Sequence, residues 1–233
     1  MGETLLRVDG LDASYGESRI LRNVNLSVAA GEVVCLIGRN GVGKTTLLKS
    51  IVGLVPANAG SVKLGDLDVT KRPTYQRARL GIGYVPQGRE IFPTLSVREN
   101  LAVAAEVHAP AKRDAFAHEL FPGLTRMLGR RGGDLSGGQQ QQLAIARALI
   151  GNPSVLLLDE PTEGIQPSII DEIENAIVRI KQRGTVAILL VEQYLQFALR
   201  LADRYYVMEK GSIVADGATS EATAGAVERY LTI

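Results

Sequence analysis

The segment at residues 38–45 constrains this sequence most, because it places three glycines between an apolar run and a predicted helix. The run Val33–Ile37 predicts a buried strand, and a helix is expected over residues 44–53. Glycines at such a turn let several backbone N–H groups face one anion, beside the partial positive charge of the helix N-terminus. The segment Gly-Arg-Asn-Gly-Val-Gly-Lys-Thr therefore predicts a phosphate-binding loop.

Two side chains of this loop have predicted roles of their own. Lys44 is expected to reach the β- and γ-phosphates of a nucleotide, and the Thr45 hydroxyl is expected to hold Mg²⁺. Backbone amides supply the other contacts. The residues predicted to bind the nucleotide here are Gly38, Arg39, Asn40, Gly41, Val42, Gly43, Lys44, Thr45 and Thr46.

Apolar runs without alternating polar residues are typical of strands covered on both faces, and therefore of a largely parallel sheet. Three such runs occur, at residues 33–37, 155–158 and 186–191. Segments nearer the N-terminus instead indicate an antiparallel layer, at residues 5–8, 23–28 and 61–64. The sequence thus predicts an α/β core that carries an antiparallel β layer.

The middle of the chain, residues 97–150, is helical by pattern. Breaks are expected at Pro110, at Pro122-Gly123 and at Gly132-Gly133. We therefore expect a single domain over residues 1–233, with residues 1–87 and 152–233 as the core and residues 88–151 as an inserted helical subdomain. A hairpin at residues 209–212 and a short final helix should close the chain, and the basic stretch 71–79 is interpreted as a solvated helix face.

The composition excludes several classes of protein. Of the 233 residues, 45% are apolar and 22% are charged, which is typical of a globular chain rather than a disordered or fibrous one. The net charge of +1 gives no reason to expect nucleic acid or an anionic lipid surface as a partner. The single cysteine, Cys35, cannot form an internal disulfide, which favours the cytoplasm. Every apolar run is far shorter than the ~20 residues of a membrane span, so membrane contact is expected only through a partner.

Two adjacent carboxylates, Asp159 and Glu160, directly follow the apolar run at residues 155–158. A strand that ends in two carboxylates beside a phosphate loop has a clear use in phosphoryl transfer. Asp159 is expected to hold Mg²⁺ through its water shell, and Glu160 is expected to polarise the attacking water.

A second anion-binding helix start is predicted at Leu-Ser-Gly-Gly-Gln, residues 135–139. A serine N-cap followed by glycines leaves backbone N–H groups available to an anion. Because the phosphate loop already serves one nucleotide, a second site of this kind indicates a nucleotide held by a second protomer. The residues assigned to this contact are Ser136, Gly137, Gly138 and Gln139.

These three motifs occur in an order that resembles the ATP-binding subunits of ABC transporters, and the likeness covers essentially the whole chain. It implies a P-loop NTPase fold, ATP and Mg²⁺ as cofactors, and hydrolysis of ATP to ADP and phosphate. It also implies a head-to-tail dimer, in which each ATP lies between the phosphate loop of one subunit and residues 135–139 of the other, which are called the signature below. Tyr15 matches the aromatic residue that stacks on adenine, and Gln87 matches the glutamine that contacts Mg²⁺ and the attacking water.

The resemblance implies an assembly as well. We expect integral membrane permease subunits, a substrate-binding protein, and either a related second ATP-binding subunit or a second copy of this chain. A short helix of the permease is expected in the groove between the helical part and the Gln87 loop. The chain would then lie peripherally on the cytoplasmic face of the inner membrane.

Two positions depart from the family pattern. Gln166 stands where an aspartate is usual, and Gln193 stands where a histidine usually bonds the γ-phosphate. The two histidines of the chain, His108 and His118, lie in the helical middle and are not expected to replace it. A glutamine amide can donate to a phosphate oxygen but cannot become a cation. We therefore expect Glu160 to carry the chemistry and Gln193 to assist it.

Four segments indicate which branch of this family the chain resembles. Residues 87–93 and 191–193 look like the smaller ATP-binding subunit of branched-chain amino acid transporters. Residues 130–142 and 161–167 look more like the urea-transporter branch of that group. The resemblance thus implies an ATPase that powers urea import, with branched-chain amino acid import as the alternative.

Two other classes of protein fit the sequence less well. A soluble ABC ATPase acting as an ATP-gated clamp would usually carry long coiled-coil insertions or two cassettes, and this sequence has one cassette and no heptad run. A phosphate-loop kinase or GTPase would not need residues 135–139, and the Asn/Thr-Lys-x-Asp guanine motif is absent from the sequence.

Overall fold

The computed structural model describes residues 2–106 and 116–221. In chain order its elements are β1 (Thr4–Tyr15), β2 (Ser18–Ala29), β3 (Val33–Ile37), α1 (Lys44–Val52), β4 (Ala57–Leu64), β5 (Leu67–Asp68), α2 (Thr74–Arg79), β6 (Ile82–Val85), α3 (Val97–Glu106), α4 (Phe116–Leu120), α5 (Pro122–Thr125), α6 (Gly137–Leu149), β7 (Val155–Asp159), α7 (Pro167–Gln182), β8 (Ala187–Val191), α8 (Leu195–Leu201), β9 (Arg204–Glu209) and β10 (Ser212–Ala218). Short 3₁₀ turns lie at Gly132–Asp134 and Thr219–Glu221. His108, the expected break at Pro110 and any helix beyond residue 221 lie outside the described residues.

A six-stranded sheet forms the centre of the molecule, in the order β10-β9-β3-β8-β7-β6. From β9 to β6 all neighbouring strands are parallel, and β10 joins as the second arm of the predicted hairpin. Every residue of β3, β7 and β8 is buried, which explains the uninterrupted apolar runs at residues 33–37, 155–158 and 187–191 and confirms the predicted parallel core. Strand β6 was not predicted, because its four residues include Gly83 and form no apolar run.

Alternate residues of β3 point into two separate hydrophobic cores, as strand geometry requires. Val33, Cys35 and Ile37 pack with α6, α7 and α8, whereas Val34 and Leu36 pack with α1 and the antiparallel sheet. Cys35 is thus a packing residue, and burial raises the pKa of its thiol.

The predicted antiparallel layer is a four-stranded sheet in the order β2-β1-β4-β5. Strands β1 and β2 have 12 residues each, and are therefore longer than the predicted segments. Their inward side chains pack on α1, so this layer supports the helix that follows the phosphate loop.

Helices α3 to α6 lie between β6 and β7 and confirm the helical middle of the chain. Leu120, Phe121 and Leu124 are buried in the core that also holds α6 and α7, so the helical part packs directly on the sheet domain. Among the helices of the described ranges, none has the length and apolar character needed to cross a bilayer.

Arg77 contradicts the interpretation of residues 71–79 as a wholly solvated face. Its exposed fraction is only 4%, and its guanidinium lies against the C-terminal end of α1. There it donates to the backbone carbonyl oxygens of Ser50 and Ile51, at 2.8 Å each. The last carbonyls of a helix lack intrahelical partners and carry partial negative charge, so a buried cation satisfies them.

Candidate active site

The glycine-rich segment connects the carboxyl end of β3 to the first turn of α1, in the predicted strand–loop–helix order. Gly41 and Gly43 have φ angles of 77° and 117°, in the left-handed region that other side chains disfavour. Gly38 has no room for a side chain, because an added Cβ would lie 2.5 Å from the Met208 carbonyl oxygen. The glycines therefore allow the turn and its close packing on β9.

Lys44 folds its side chain back over this loop. Its exposed fraction is 5%, and Nζ donates to the carbonyl oxygens of Gly38 at 2.7 Å and Arg39 at 3.0 Å. Burial lowers the pKa of the Lys44 ammonium, while the nearby carboxylates of Glu160 and Asp159 oppose that shift. Neutral carbonyls are weaker partners for a full charge than anions are, so a phosphate oxygen would compete well for Lys44.

Thr45 and Asp159 form the second part of the site. The Thr45 hydroxyl donates to Asp159 Oδ1 at 3.2 Å, and the Tyr84 hydroxyl donates to Oδ2 at 3.4 Å. Burial raises the pKa of Asp159, and these hydrogen bonds oppose the shift. Within residues 2–106 and 116–221, no group of three or more His, Cys, Asp or Glu side chains could hold a metal ion. Hydroxyl and carboxylate oxygens nevertheless fit Mg²⁺, which usually binds one or two protein groups together with substrate phosphates.

Glu160 has φ of 48°, a left-handed value that is rare for residues other than glycine and common at functional sites. Its N–H donates to the Val191 carbonyl oxygen at 2.9 Å, so the pairing of β7 with β8 holds this turn. The side chain is 9% exposed and accepts from Gln193 Nε2 at 2.7 Å and from Gln87 Nε2 at 3.3 Å. Lys44 Nζ lies 3.7 Å from Glu160 Oε1. The structure thus brings Lys44, Gln87 and Gln193 together at one carboxylate.

A cavity of about 330 Å³ opens beside these groups. Its lining is formed by Ile20, Asn40, Gly41, Gly43, Lys44, Thr45, Thr46, Gln87, Glu160, Glu163 and Gln193. Gly38, Arg39 and Val42 belong to the same loop but are not part of the lining. Tyr15 ends β1 with its ring half exposed and outside this lining, so its stacking on adenine stays a prediction.

The signature begins α6 as a capped helix. Ser136 Oγ accepts from the Gln139 N–H at 3.3 Å, and the Ser136 N–H donates to Gln139 Oε1 at 3.0 Å. This reciprocal capping box matches the predicted N-cap role of Ser136. None of residues 136–139 lines the cavity described above, and of these four residues only Ser136 is exposed, so their contact with a nucleotide stays a prediction.

Glu192 is a buried carboxylate whose role sequence reasoning missed. Its Oε1 accepts from the Thr162 N–H at 3.1 Å and the Thr162 hydroxyl at 2.8 Å, and its Oε2 accepts from the Gln193 N–H at 3.2 Å. Burial raises the pKa of Glu192, and these hydrogen bonds oppose the shift. Glu192 therefore ties the turn after Glu160 to the segment that carries Gln193. The available signal was its place directly after an apolar strand.

Glu163 is a second missed carboxylate, and it accepts from Gln87 Nε2 at 2.9 Å. Its position three residues after Glu160 was the available signal. Of the two departures from the family pattern, Gln193 reaches Glu160, whereas Gln166 is the exposed N-cap residue of α7 and makes no capping hydrogen bond with its side chain.

Comparison with known proteins identifies the family. The sequence pattern of ABC transporters matches residues 21–163. The chain is 38% identical over 220 residues to the probable branched-chain amino acid transport ATP-binding protein LivF of Archaeoglobus fulgidus, covering 93% of each chain. It is 41% identical over 214 residues to BraG, a high-affinity branched-chain amino acid transport ATP-binding protein of Pseudomonas aeruginosa, covering 90% of this chain and 91% of BraG. LptB, of the lipopolysaccharide export system of Escherichia coli, is 35% identical over 221 residues, with 93% of this chain and 91% of LptB covered.

Solved structures agree with the fold described above. A nucleotide-free ATP-binding cassette from an ABC transporter superposes with a TM-score of 0.82 at 28% identity, covering 98% of this chain and 95% of that one. A dimeric cassette in a post-hydrolysis state, bound to ADP and phosphate, superposes with a TM-score of 0.82 at 25% identity, covering 92% of this chain and 99% of that one. The chain therefore belongs to the ABC transporter family and is one of its ATP-hydrolysing ATP-binding cassettes.

Proposed function

We propose that this chain is the ATP-hydrolysing subunit of an ABC importer, and that Glu160 is its general base. The observation that carries the proposal is the arrangement around Glu160, where Lys44, Gln87 and Gln193 meet beside a cavity that the phosphate loop lines. Phosphoryl transfer needs phosphate-binding donors, a metal position and a group that orients water in one place. This site offers all three.

Each residue has a step in this proposal. Lys44 and the loop amides hold the β- and γ-phosphates, and Thr45, Asp159 and Gln87 would hold Mg²⁺, which would supply positive charge against the phosphates. Glu160 takes a proton from the water whose oxygen attacks the γ-phosphorus. The bond to the β-phosphate oxygen breaks, and ADP and inorganic phosphate leave. Gln193 orients Glu160 by donating its amide N–H at 2.7 Å.

The signature would complete the site of another subunit. In this proposal Ser136, Gly137, Gly138 and Gln139 present the start of α6 to the ATP on a partner's phosphate loop. The dimeric form of a similar cassette bound to ADP and phosphate supports this arrangement. The partner is a second copy of this chain or a related ATP-binding subunit.

A groove next to the Gln87 loop supports a membrane partner. This cavity of about 360 Å³ lies between the sheet domain and the helical part, with Leu54, Tyr84, Ala104 and Ala148 in its lining. Leu54 is 58% exposed there and offers apolar surface to a partner. Arg89, two residues after Gln87, also lines the groove, so one loop joins the groove to the nucleotide cavity. We propose that a cytoplasmic helix of a permease subunit binds here and holds the chain at the inner membrane, in an assembly that includes a substrate-binding protein.

The cargo is proposed to be urea. The support is the likeness of residues 130–142 and 161–167 to the urea-transporter branch. Branched-chain amino acids are the second candidate, favoured by the names of the relatives LivF and BraG. Similarity to a lipopolysaccharide export ATPase at 35% identity indicates that related cassettes power different cargoes.

The test is uptake of labelled urea and labelled leucine, side by side, in source cells whose own copy carries Glu160→Gln. This change keeps the side chain's size but removes the proton acceptor, so hydrolysis should fall by roughly 10²- to 10⁴-fold while ATP still binds. Cells carrying Glu3→Gln, at an exposed position near the start of β1, are the matched control.

Loss of urea uptake alone would support urea as the cargo, and loss of leucine uptake alone would assign branched-chain amino acids. If both uptakes survived without another ATPase substituting, the importer proposal would fail. A soluble ATP-gated clamp would then explain the ATPase better.

A further inference from the structure

The turn after β7 brings a second carboxylate to the active site. Glu160 has a left-handed backbone, with φ of 48°, and its carbonyl oxygen accepts from the Glu163 N–H at 3.2 Å. A hydrogen bond of this kind closes a four-residue turn, which brings the Cα atoms of its first and fourth residues within about 7 Å of each other. Glu163 lines the same cavity as Glu160.

The side-chain amide of Gln87 lies between these two carboxylates. Gln87 Nε2 donates to Glu163 Oε2 at 2.9 Å and to Glu160 Oε2 at 3.3 Å. An amide nitrogen has two hydrogens, so both are committed to carboxylates. The shorter hydrogen bond is the one to Glu163.

These contacts select one orientation of the amide. If the amide of Gln87 rotated by 180°, its carbonyl oxygen would face two carboxylates that can only accept hydrogen bonds, and the charges would repel. In the observed orientation Nε2 takes that place, and Oε1 is left available for a metal ion or a water molecule. Glu160 alone would favour the same orientation only through its longer contact.

We propose that Glu163 is a positioning residue of the ATPase site, which acts through Gln87 by fixing the orientation of its amide. In this role Glu163 acts on the amide of Gln87 and needs no contact with the phosphates or the attacking water. It makes Gln87 present its oxygen to Mg²⁺ and its nitrogen to Glu160. This inference rests on the proposed roles of Gln87 and Glu160 in hydrolysis.

The key variant is Glu163→Gln, which keeps the shape but can donate as well as accept, so that either orientation of Gln87 is tolerated. Glu3→Gln removes the same charge at a remote exposed position and serves as the control. Glu163→Gln is also combined with Gln87→Ala, because a residue that acts through Gln87 has no effect when Gln87 is absent.

The first readout uses the purified chain without nucleotide or metal. The side-chain amide signals of Gln87 are assigned in ¹H–¹⁵N NMR spectra by their loss in Gln87→Ala. We expect these signals to move in Glu163→Gln toward the positions of solvent-exposed glutamines, and to stay in place in Glu3→Gln. Unchanged Gln87 signals in Glu163→Gln would overturn the proposal whether or not the chain hydrolyses ATP.

The second readout is the Mg²⁺ concentration that gives half-maximal binding of a fluorescent ATP analogue. We expect Glu163→Gln to raise this Mg²⁺ concentration by about 3- to 10-fold, because one hydrogen bond to a charged acceptor is lost. In the Gln87→Ala background the same change should have no further effect. An equal rise in both backgrounds would show that Glu163 acts by its charge alone and would overturn the proposal. Failure of the wild-type chain to hydrolyse the bound ATP, both alone and together with a related cassette, would instead count against the proposed function.

Discussion

Gln193 places a neutral amide where the family usually has a histidine. Its amide donates to Glu160 at 2.7 Å, and an amide has no ionisation in the ordinary pH range. We expect Gln193→Ala to lower kcat by about 10-fold, the value of one hydrogen bond to a charged group, with little change in the KM for ATP.

We expect Gln193→His to add a step near the ordinary histidine pKa of about 6.5 to a pH–rate profile that otherwise lacks one there. Turnover measured from pH 5.5 to 8.5 tests both, and unchanged turnover in Gln193→Ala would exclude a catalytic role.

We expect Glu192 to make the free energy of unfolding depend on pH. Burial raises its pKa above the ordinary value of 4.5, so near that pH the folded chain binds a proton that the unfolded chain releases. The contribution of that proton to the free energy of unfolding is complete below pH 4.5, and it is lost as the pH rises through the folded-state pKa. The free energy of unfolding of Glu192→Gln, minus that of the wild type, should therefore increase with pH above 4.5. Guanidinium unfolding at several pH values measures this difference, and a constant difference would contradict it.

At the scale of elements, local motifs were predictable and contacts between loops were not. Lys44, Thr45 and Asp159 could be assigned because a strand, a loop and a helix in sequence order place them. The contact of Glu192 with Thr162 arises only when β7 pairs with β8, and that of Glu163 with Gln87 only when β6 pairs with β7. Strand β6 was missed for a similar reason, since its pairing with β7 stabilises four residues that have no pattern of their own.

Arg77 joins two elements that the sequence does not relate. It donates to the carbonyl oxygens of Ser50 and Ile51 on α1 and to those of Thr70 and Arg72 near α2. We expect Arg77→Ala to lower the free energy of unfolding by about 2–4 kcal/mol, because buried acceptors lose a charged donor.

The matched control for this prediction is Arg79→Ala, which changes an exposed residue of the same helix and should alter the free energy of unfolding by less than about 0.5 kcal/mol. Arg77→Lys should recover only part of the loss, since an ammonium cannot reproduce the planar fork of donors. Guanidinium unfolding followed by circular dichroism measures all three variants. Equal effects of Arg77→Ala and Arg79→Ala would show that the buried contacts contribute little.

At the scale of the whole molecule, the two surfaces proposed to face nucleotides do not share a cavity. The cavity of about 330 Å³ contains the phosphate loop and Glu160, while the capped start of α6 is outside its lining. A single chain therefore offers half of each of two proposed sites. The Gln87 loop borders both this cavity and the groove proposed for the permease, so one segment of the chain joins the two proposed sites.

Two complementary inactive variants test whether copies of this chain share sites. Lys44→Ala disables the phosphate loop, and Gly137→Asp adds a negative charge at the signature, where an added Cβ would lie 3.0 Å from Arg89 Nη1 and could pair with it. Each variant alone should be inactive. In a 1:1 mixture about half of the dimers are mixed and each of these has one complete site, so about a quarter of wild-type ATPase activity should return.

Thermal melting of each variant is the control for folding. A mixture that stayed inactive beside an active wild type would exclude composite sites between two copies. A wild type that is inactive alone at every concentration, but active with a related cassette, would assign that cassette as the partner.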